Sequence, residues 1–252
     1  MNNRHSIQIN WYRRLLGWSI HVFTASGACV GLFALYMIDQ HEWIQAFWLM
    51  SLAILIDAVD GMFARAIKVK EVVPEIDGAL LDNIVDFVNY TIVPAFFIFV
   101  TDILPPGLRF FGVLAIIFSS AYQFTQVDAK TSDHFFKGFP SYWNIVVFYL
   151  FFWQMSTWNN LLVILILAIL SFVPIKYVYP SRLDYLTRSP LLRMAMVFAT
   201  LVWGMATAGL LWVYPETNHL LLFLSMGYLI LYIGISLYRT WVPLQLVECL
   251  GD

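Results

Sequence analysis

The sequence predicts an all-α, polytopic integral membrane protein with about eight transmembrane helices and an N-terminal interfacial amphipathic helix. Hydrophobic residues make up 61% of the 252 residues, and charged residues make up only 12%. Soluble domains carry about 25% charged residues, so the charged fraction is about half of theirs. Apolar runs of about 20 residues, the length that crosses a bilayer, recur along the whole chain.

Polar or proline-containing breaks separate the apolar runs and define the predicted spans. The spans cover residues 16–38, 43–64, 78–100, 108–126, 139–156, 160–179, 190–212 and 219–238. Residues 5–15 mix basic and aromatic side chains, which is typical of a helix lying in the membrane interface. The sequence contains no internal repeat, so we expect residues 1–252 to form one membrane domain with an interfacial segment at 1–15.

The positions of Lys and Arg predict the orientation in the membrane. With the N-terminus in the cytoplasm, all 14 of these residues except Arg109 fall on the cytoplasmic side. Cytoplasmic loops carry an excess of Lys and Arg, so both termini are predicted to be cytoplasmic. We expect membrane lipids, and no nucleic acid, as partners.

Four aspartates interrupt two of the apolar spans. Asp57 and Asp60 lie near the predicted cytoplasmic end of the second span, and Asp82 and Asp86 lie near the start of the third. A carboxylate costs roughly 2.5–3.5 kcal/mol at the centre of a bilayer, so acids within spans are rarely accidental. Residues three and four apart share a helix face, and each pair therefore forms one stripe. The sequence predicts a hairpin over residues 57–86 that brings the two stripes together.

A site built only from carboxylates favours hard divalent cations over zinc or copper. Two such ions about 3.5–4 Å apart can bind a phosphoryl group during its transfer. Gly61, Ala64 and Gly78 leave space for a phosphate ester beside the acids, and Arg65 could pair with a phosphate through two hydrogen bonds. The alternative is structural, because Gly and Ala often mediate helix packing and an Arg at a helix end often anchors it.

The pattern Asp57-x2-Asp60-Gly61-x2-Ala64-Arg65 and Gly78-x3-Asp82-x3-Asp86 resembles the signature of the CDP-alcohol phosphotransferases. These membrane enzymes join an alcohol to the phosphatidyl group of CDP-diacylglycerol, or transfer a phospho-alcohol from a CDP-alcohol to a lipid, and release CMP. All fixed positions of the signature are present.

The resemblance implies a role for each signature residue. Asp57, Asp60 and Asp82 would hold divalent metal ions, two Mn²⁺ or Mg²⁺, with Asp86 completing the metal site and acting as the general base. The residues implied in CDP-diacylglycerol binding are Asp60, Gly61, Ala64, Arg65 and Gly78, together with Thr24 of the first span.

The gap between the two halves of the signature, residues 66–77, is longer than in the commonest family pattern. In this it resembles the bacterial phosphatidylcholine synthase branch, which condenses CDP-diacylglycerol with free choline. The stretches HVFTASG at 21–27 and FKGFPSYWN at 136–144 are also similar to that branch, whose members typically have eight spans. The resemblance implies a homodimer in the bacterial inner membrane, with the active site facing the cytoplasm.

A quaternary ammonium group is usually bound by aromatic rings. Tyr142 and Trp143, which enter the fifth predicted span, and Tyr122 of the fourth are the candidates for choline binding. Tyr and Trp also form interfacial belts in any membrane protein, so this assignment competes with a structural one. Lys137 is a candidate contact for a lipid phosphate.

Two other functions remain open. The first is an enzyme of the same family with a different acceptor, such as serine, inositol or glycerol phosphate, because loops tolerate insertions. The second is a cation transporter that uses the acids for translocation. Transporters often show inverted repeats and broken helices at the bilayer midplane, whereas these acids lie towards one face. Metal-dependent CMP release distinguishes the enzymes from the transporter.

Overall fold

The computed structural model describes residues 11–131, 133, 135–179, 186–187, 189–216 and 218–242, and it confirms an all-α membrane protein. The helices are α1 (Trp11–Asp39), α2 (Trp43–Ile67), α3 (Val69–Val72), α4 (Gly78–Phe87), α5 (Val93–Val100), α6 (Arg109–Thr125), α7 (Trp143–Trp153), α8 (Thr157–Leu170), α9 (Pro190–Val213) and α10 (His219–Trp241). A π-helical turn, Val88–Ile92, joins α4 to α5, and a 3-10 turn, Pro106–Leu108, precedes α6. Two short antiparallel strands, β1 (Phe136–Lys137) and β2 (Lys176–Tyr177), pair beside the helices.

Within the described residues, six helical segments are long and apolar enough to cross a membrane. They are Trp11–Asp39, Trp43–Ile67, Gly78–Val100, Pro106–Thr125, Pro190–Val213 and His219–Trp241. The predicted spans 139–156 and 160–179 contain the shorter helices α7 and α8, which have 11 and 14 residues. A span needs about 20 residues, so the count of eight is not confirmed at these two segments.

The sequence around α7 and α8 explains why they are short. Gln154 adopts a left-handed backbone conformation with φ 49° and ends α7, and the Ser156 hydroxyl accepts a hydrogen bond from Asn159 N–H to start α8. Residues 139–142, predicted to be inside the fifth span, precede α7 as irregular chain. Of the predicted interfacial helix, residues 1–10 lie outside the described residues, and residues 11–15 form the first turns of α1.

Helix α1 packs against α2 and against the segment that runs from α4 to α5. In the π-helical turn, Asn89 donates from Nδ2 to the carbonyl of Gly27 at 3.0 Å and to that of Val85 at 3.1 Å. A Cβ atom on Gly31 would lie only 2.6 Å from Asn89 Oδ1, so this close approach requires glycine. Pro94, which lacks an N–H, follows the turn, and the helix cannot keep its regular hydrogen bonds there.

The chain between α6 and α7 is fixed near the aspartates by polar contacts. Lys137 Nζ lies 2.6 Å from Asp128 Oδ2, and Lys176 Nζ lies 2.5 Å from Asp133 Oδ2. The hydrogen bond from Lys137 lowers the pKa of Asp128. Gln123 of α6 donates from Nε2 to the Lys137 carbonyl at 3.0 Å. These contacts hold the loop that carries Lys130 and leads into Tyr142.

Candidate functional site

The residues between α2 and α4 reverse the chain direction. Lys68 ends α2 in a left-handed conformation, φ 56° and ψ 52°, and its N–H donates to the carbonyls of Ala64 and Arg65. Helix α3 occupies one turn of the gap. Asp77 then accepts hydrogen bonds on Oδ1 from the N–H groups of Ala79 and Leu80, at 3.1 and 3.2 Å, and so starts α4 at Gly78. The long gap 66–77 is therefore a folded connection.

This reversal brings three of the four aspartates together. Carboxylate oxygens of Asp57, Asp82 and Asp86 all lie within 4.8 Å of one another, and the three side chains are half-buried. Asp60, one turn further along α2, is 4% exposed and interacts electrostatically with the other three acids. The four carboxylates therefore form one concentrated negative charge at the end of α2 and the start of α4.

Asp60 has its own set of contacts. Its carboxylate accepts hydrogen bonds from the Thr24 hydroxyl of α1 and from the backbone of Gly61. The positive charge of Arg65 also attracts it. Thr24 is buried, as expected for a residue that connects α1 to the site. Asp60 is therefore held by α1 and by its own helix, at the side of the group formed by the other three.

Two residues that the sequence analysis missed also interact with this group. Tyr90 donates from its hydroxyl to Asp57 Oδ2 at 2.7 Å. It follows Asp82 and Asp86 at intervals of four residues, which is a helical signal that could have identified it. Lys130 interacts electrostatically with Asp57, Asp82 and Asp86, but it reaches them from a loop, and no sequence spacing indicates that.

The donor set fits a divalent cation. Oxygen ligands alone suit Mg²⁺ or Mn²⁺, and three carboxylates already converge within the distance that one ion can bridge. Four acids in an apolar setting repel one another, and Lys130 and Arg65 are the cations that interact with them in the described part of the chain. A bound divalent ion offsets this repulsion. The structure thus supports a metal site and leaves the identity of the ion open.

The small residues of the signature border the acids. A Cβ atom on Gly61 would lie 3.1 Å from Arg65 Nη1, so the exposed Arg65 side chain folds back over Gly61. A Cβ atom on Gly78 would lie 3.0 Å from Cε1 of the buried His21. Ala64 lies half-buried beside Arg65 on α2. Gly61, Ala64, Arg65 and Gly78 therefore lie at the same end of the hairpin as the aspartates.

A row of aromatic rings extends from the acids. The ring centroid of Tyr142 lies 6.0 Å from that of Tyr90 and 6.2 Å from that of Phe136, and Phe136 lies 4.6 Å from Tyr179. Lys130 Nζ lies 5.9 Å from the centroid of the Tyr179 ring. These four rings, Tyr90, Tyr142, Phe136 and Tyr179, are called the aromatic row below.

The other candidates for choline or phosphate binding have contacts elsewhere. Trp143 is fully buried and donates from Nε1 to Ser120 Oγ at 2.8 Å. Tyr122 packs its ring against Phe172 with centroids 4.6 Å apart. Lys137 pairs with Asp128 in the loop. The structure therefore brings Tyr142, but not Trp143 or Tyr122, into the aromatic row.

Comparison with known proteins agrees with this site. Residues 21–175 match the CDP-alcohol phosphatidyltransferase family, a region that contains all four aspartates. The chain is 52% identical over 228 residues to a phosphatidylcholine synthase from Legionella pneumophila, covering 90% of this chain and 89% of that protein. It is 51% identical over 217 residues to one from Legionella bozemanae, covering 86% and 100%. It is 34% identical over 224 residues to one from Pseudomonas aeruginosa, covering 88% and 91%. The chain therefore belongs to the CDP-alcohol phosphatidyltransferase family.

Proposed function

We propose that this protein is a phosphatidylcholine synthase, which transfers the phosphatidyl group of CDP-diacylglycerol to free choline and releases CMP. The observation that supports this proposal most strongly is the group of Asp57, Asp82 and Asp86, whose carboxylates converge within 4.8 Å at the membrane hairpin. The 52% identity to a protein named phosphatidylcholine synthase supports choline as the acceptor.

In the proposed reaction, Asp86 accepts the proton of the choline hydroxyl. The choline oxygen attacks the phosphorus that carries the diacylglycerol, the bond between this phosphorus and the pyrophosphate bridging oxygen breaks, and CMP leaves. Asp57, Asp60, Asp82 and Asp86 are proposed to hold two Mn²⁺ or Mg²⁺ ions, which when bound stabilise the charge on the pyrophosphate and on the departing CMP.

The nucleotide lipid is proposed to lie over the small residues of the hairpin. Gly61 is covered only by the exposed Arg65 side chain, whose guanidinium can turn to pair with a phosphate and so uncover the helix surface beside Ala64. Gly78 lets the start of α4 lie close to the buried His21. Thr24 is proposed to approach the nucleotide while it orients Asp60, to which it is hydrogen-bonded.

Choline is proposed to bind against the aromatic row, beside Asp57 and Asp86. Each cation–π contact contributes about 0.5–2 kcal/mol, depending on how far it is desolvated. Tyr90 and Tyr142 are the rings of the row nearest to the acids, because Tyr90 is hydrogen-bonded to Asp57 and Tyr142 lies beside Tyr90.

We further propose a single membrane domain that forms a homodimer in the bacterial inner membrane, with the aspartates on the cytoplasmic side. Roles for Trp143, Tyr122 and Lys137 in substrate binding stay predictions.

The test is CMP release by the detergent-purified protein from CDP-diacylglycerol and Mn²⁺, with choline, serine, inositol or glycerol 3-phosphate as the acceptor. We expect turnover with choline alone, its loss on chelation of the metal, and a decrease of about 10²–10⁴-fold in Asp86→Asn. Asp39→Asn, an exposed acid at the far end of α1, should keep wild-type turnover.

Each other result identifies a different function. Turnover with serine, inositol or glycerol 3-phosphate in place of choline would assign the chain to a sister activity of the family. Absence of metal-dependent CMP release with every acceptor would contradict enzymatic transfer from CDP-diacylglycerol and favour a role of the acids in cation transport.

A further inference from the structure

A cleft lies between α2, α7 and α9, on the apolar side of the aspartates. Its walls include Phe47, Met50 and Ile54 of α2, Asn144 and Phe148 of α7, and Thr207 of α9. Trp203 of α9 also lines it and donates from its indole Nε1 to the Tyr149 hydroxyl at 2.9 Å, which fixes α9 against α7. Because α9 lies outside the matched residues 21–175, one wall of the cleft is additional to the family region.

The position of the cleft relates it to the proposed reaction centre. Phe47, Met50 and Ile54 are spaced at helical intervals on α2, and Asp57 follows Ile54 by three residues. With a rise of 1.5 Å per residue, the cleft begins about 5 Å from Asp57 along the helix and extends to about 15 Å from it. In CDP-diacylglycerol, the ester groups are a few bonds from the phosphate. A lipid whose phosphate lies at Asp57 therefore has its esters and acyl chains at this depth.

The cleft contains an unsatisfied hydrogen-bond donor. Asn144 is 3% exposed, and its Oδ1 accepts from Ile145 N–H at 2.9 Å. Its Nδ2 is buried and has no hydrogen-bond partner among the residues that the structure describes. A buried amide donor left unpaired is unfavourable, and such groups are almost always paired with protein, water or ligand.

The hydroxyl groups in the cleft are already paired within their own helices. Ser51 donates to the Phe47 carbonyl at 2.8 Å, and Thr207 donates to the Trp203 carbonyl at 2.9 Å. Asn144 is thus the lining residue that still offers a donor, in the part of the chain that is described. A ligand that matches this cleft has one acceptor on an otherwise apolar body, as a fatty-acid ester does.

We propose that the cleft binds one acyl ester of the CDP-lipid substrate, with the ester carbonyl accepting a hydrogen bond from Asn144 Nδ2. The first carbons of the acyl chain then lie against the half-buried Ile54, Ile145 and Thr207, and the rest of the chain extends into the bilayer. This assignment rests on the proposed function only in taking a CDP-diacylglycerol as the substrate, and it does not depend on the acceptor.

Equilibrium binding tests the hydrogen bond without requiring turnover. The probe is a fluorescent CDP-diacylglycerol bound to the purified protein with Mn²⁺. It is displaced either by ester-linked CDP-diacylglycerol or by the ether-linked CDP-dialkylglycerol of equal chain length. The wild type should bind the ester about 2–10-fold more tightly, since a single hydrogen bond contributes that much. In Asn144→Leu the two lipids should bind equally. The control is Asn160→Leu, a buried asparagine whose Nδ2 is paired with the Ile103 carbonyl at 3.0 Å, and it should keep the preference.

A second pair of variants tests the space in the cleft. Thr207→Phe should weaken binding of the long-chain CDP-lipid about 10-fold or more and leave binding of CDP-glycerol, which has no acyl chain, unchanged. Met205→Phe on the exposed face of α9 should affect neither.

Equal binding of ester and ether lipids by the wild type, or a preference that survives in Asn144→Leu, would overturn the assignment. If phosphatidylglycerol at equal concentration blocks the cleft and abolishes the ester preference, the cleft binds a structural membrane lipid. That result would also overturn the assignment. Binding that follows the prediction in a protein that does not use choline would refute the proposed function alone.

Discussion

Asp57 is the residue at which the two helices, the π-helical turn and the aromatic row meet. Its carboxylate lies beside those of Asp82 and Asp86, and it accepts the hydrogen bond from Tyr90 at 2.7 Å. A hydrogen bond of this kind fixes the direction of a metal-binding carboxylate. Outer groups that orient metal ligands commonly change metal affinity by 10–100-fold.

Tyr90→Phe removes this hydrogen bond and keeps the ring of the aromatic row. We expect the Mn²⁺ concentration for half-maximal CMP release to rise about 10-fold or more, with most of the rate recovered at high Mn²⁺. A Mn²⁺ titration of the purified variant measures this. Tyr36→Phe, on an exposed part of α1, serves as the control. An unchanged Mn²⁺ dependence in Tyr90→Phe would mean that the Tyr90 hydroxyl does not support the metal site.

The sequence identified the acids better than the residues around them. Asp57, Asp60, Asp82 and Asp86 are conspicuous because charged groups are rare in apolar spans. Tyr90 lies four residues after Asp86, a helical spacing that could have identified it. Lys130 reaches the acids through the folding of the loop after α6, which depends on contacts such as Lys137 with Asp128 that local sequence does not indicate.

At the scale of elements, the contact between α1 and the π-helical turn positions both Thr24 and Tyr90. Asn89 makes this contact through the Gly27 carbonyl, and the absence of a side chain on Gly31 allows it. The same turn directs Tyr90 towards Asp57. An irregular helical turn within a span is therefore part of the site, as π-helical turns often are.

Gly31→Ala places a methyl group 2.6 Å from Asn89 Oδ1, so α1 or the turn must shift. We expect a lower melting temperature and weaker metal-dependent turnover. Gly227→Ala on α10 is the matched control, because a Cβ atom there meets no atom within 4 Å and alanine favours helix. Thermal unfolding in detergent measures the melting temperatures of both variants. Equal melting temperatures for Gly31→Ala and the wild type would show that the contact tolerates the extra methyl group.

Hydropathy predicted the long helices well and the region from 139 to 179 less well. The run 139–156 is apolar enough for a span, but Gln154 and Ser156 interrupt it, and irregular chain precedes Trp143. Apolar composition shows that a segment is buried. It does not distinguish burial in lipid from burial within the protein, where α7 contributes Trp143, Val147 and Phe148 to the core.

For the whole molecule, a metal that binds the folded hairpin and not the unfolded chain must stabilise the fold. At a Mn²⁺ concentration of 100 times its dissociation constant, this linkage contributes about 2.7 kcal/mol. We expect Mn²⁺ to raise the melting temperature of the wild type. Asp82→Asn should lose most of this increase, and Asp39→Asn should keep it. An equal increase in all three proteins would place the Mn²⁺ effect outside the aspartate site.

The class of the molecule followed from composition and the chemistry of its site from four residues. The cleft between α2, α7 and α9 had no sequence signal, since Asn144 and Thr207 are far apart in the chain and ordinary in their segments. Long-range packing of α9 against α7 creates it. Features of this kind require the three-dimensional structure.

In the proposed reaction, a choline oxygen that is activated beside Asp86 forms the new bond to phosphorus. The most direct test uses choline labelled with ¹⁸O in its hydroxyl group, together with CDP-diacylglycerol and Mn²⁺, followed by mass spectrometry of the products. We expect phosphatidylcholine that carries the heavy oxygen, unlabelled CMP, and neither product above background in Asp86→Asn. Phosphatidylcholine without the label, label in CMP, or undiminished product from Asp86→Asn would contradict the proposed reaction.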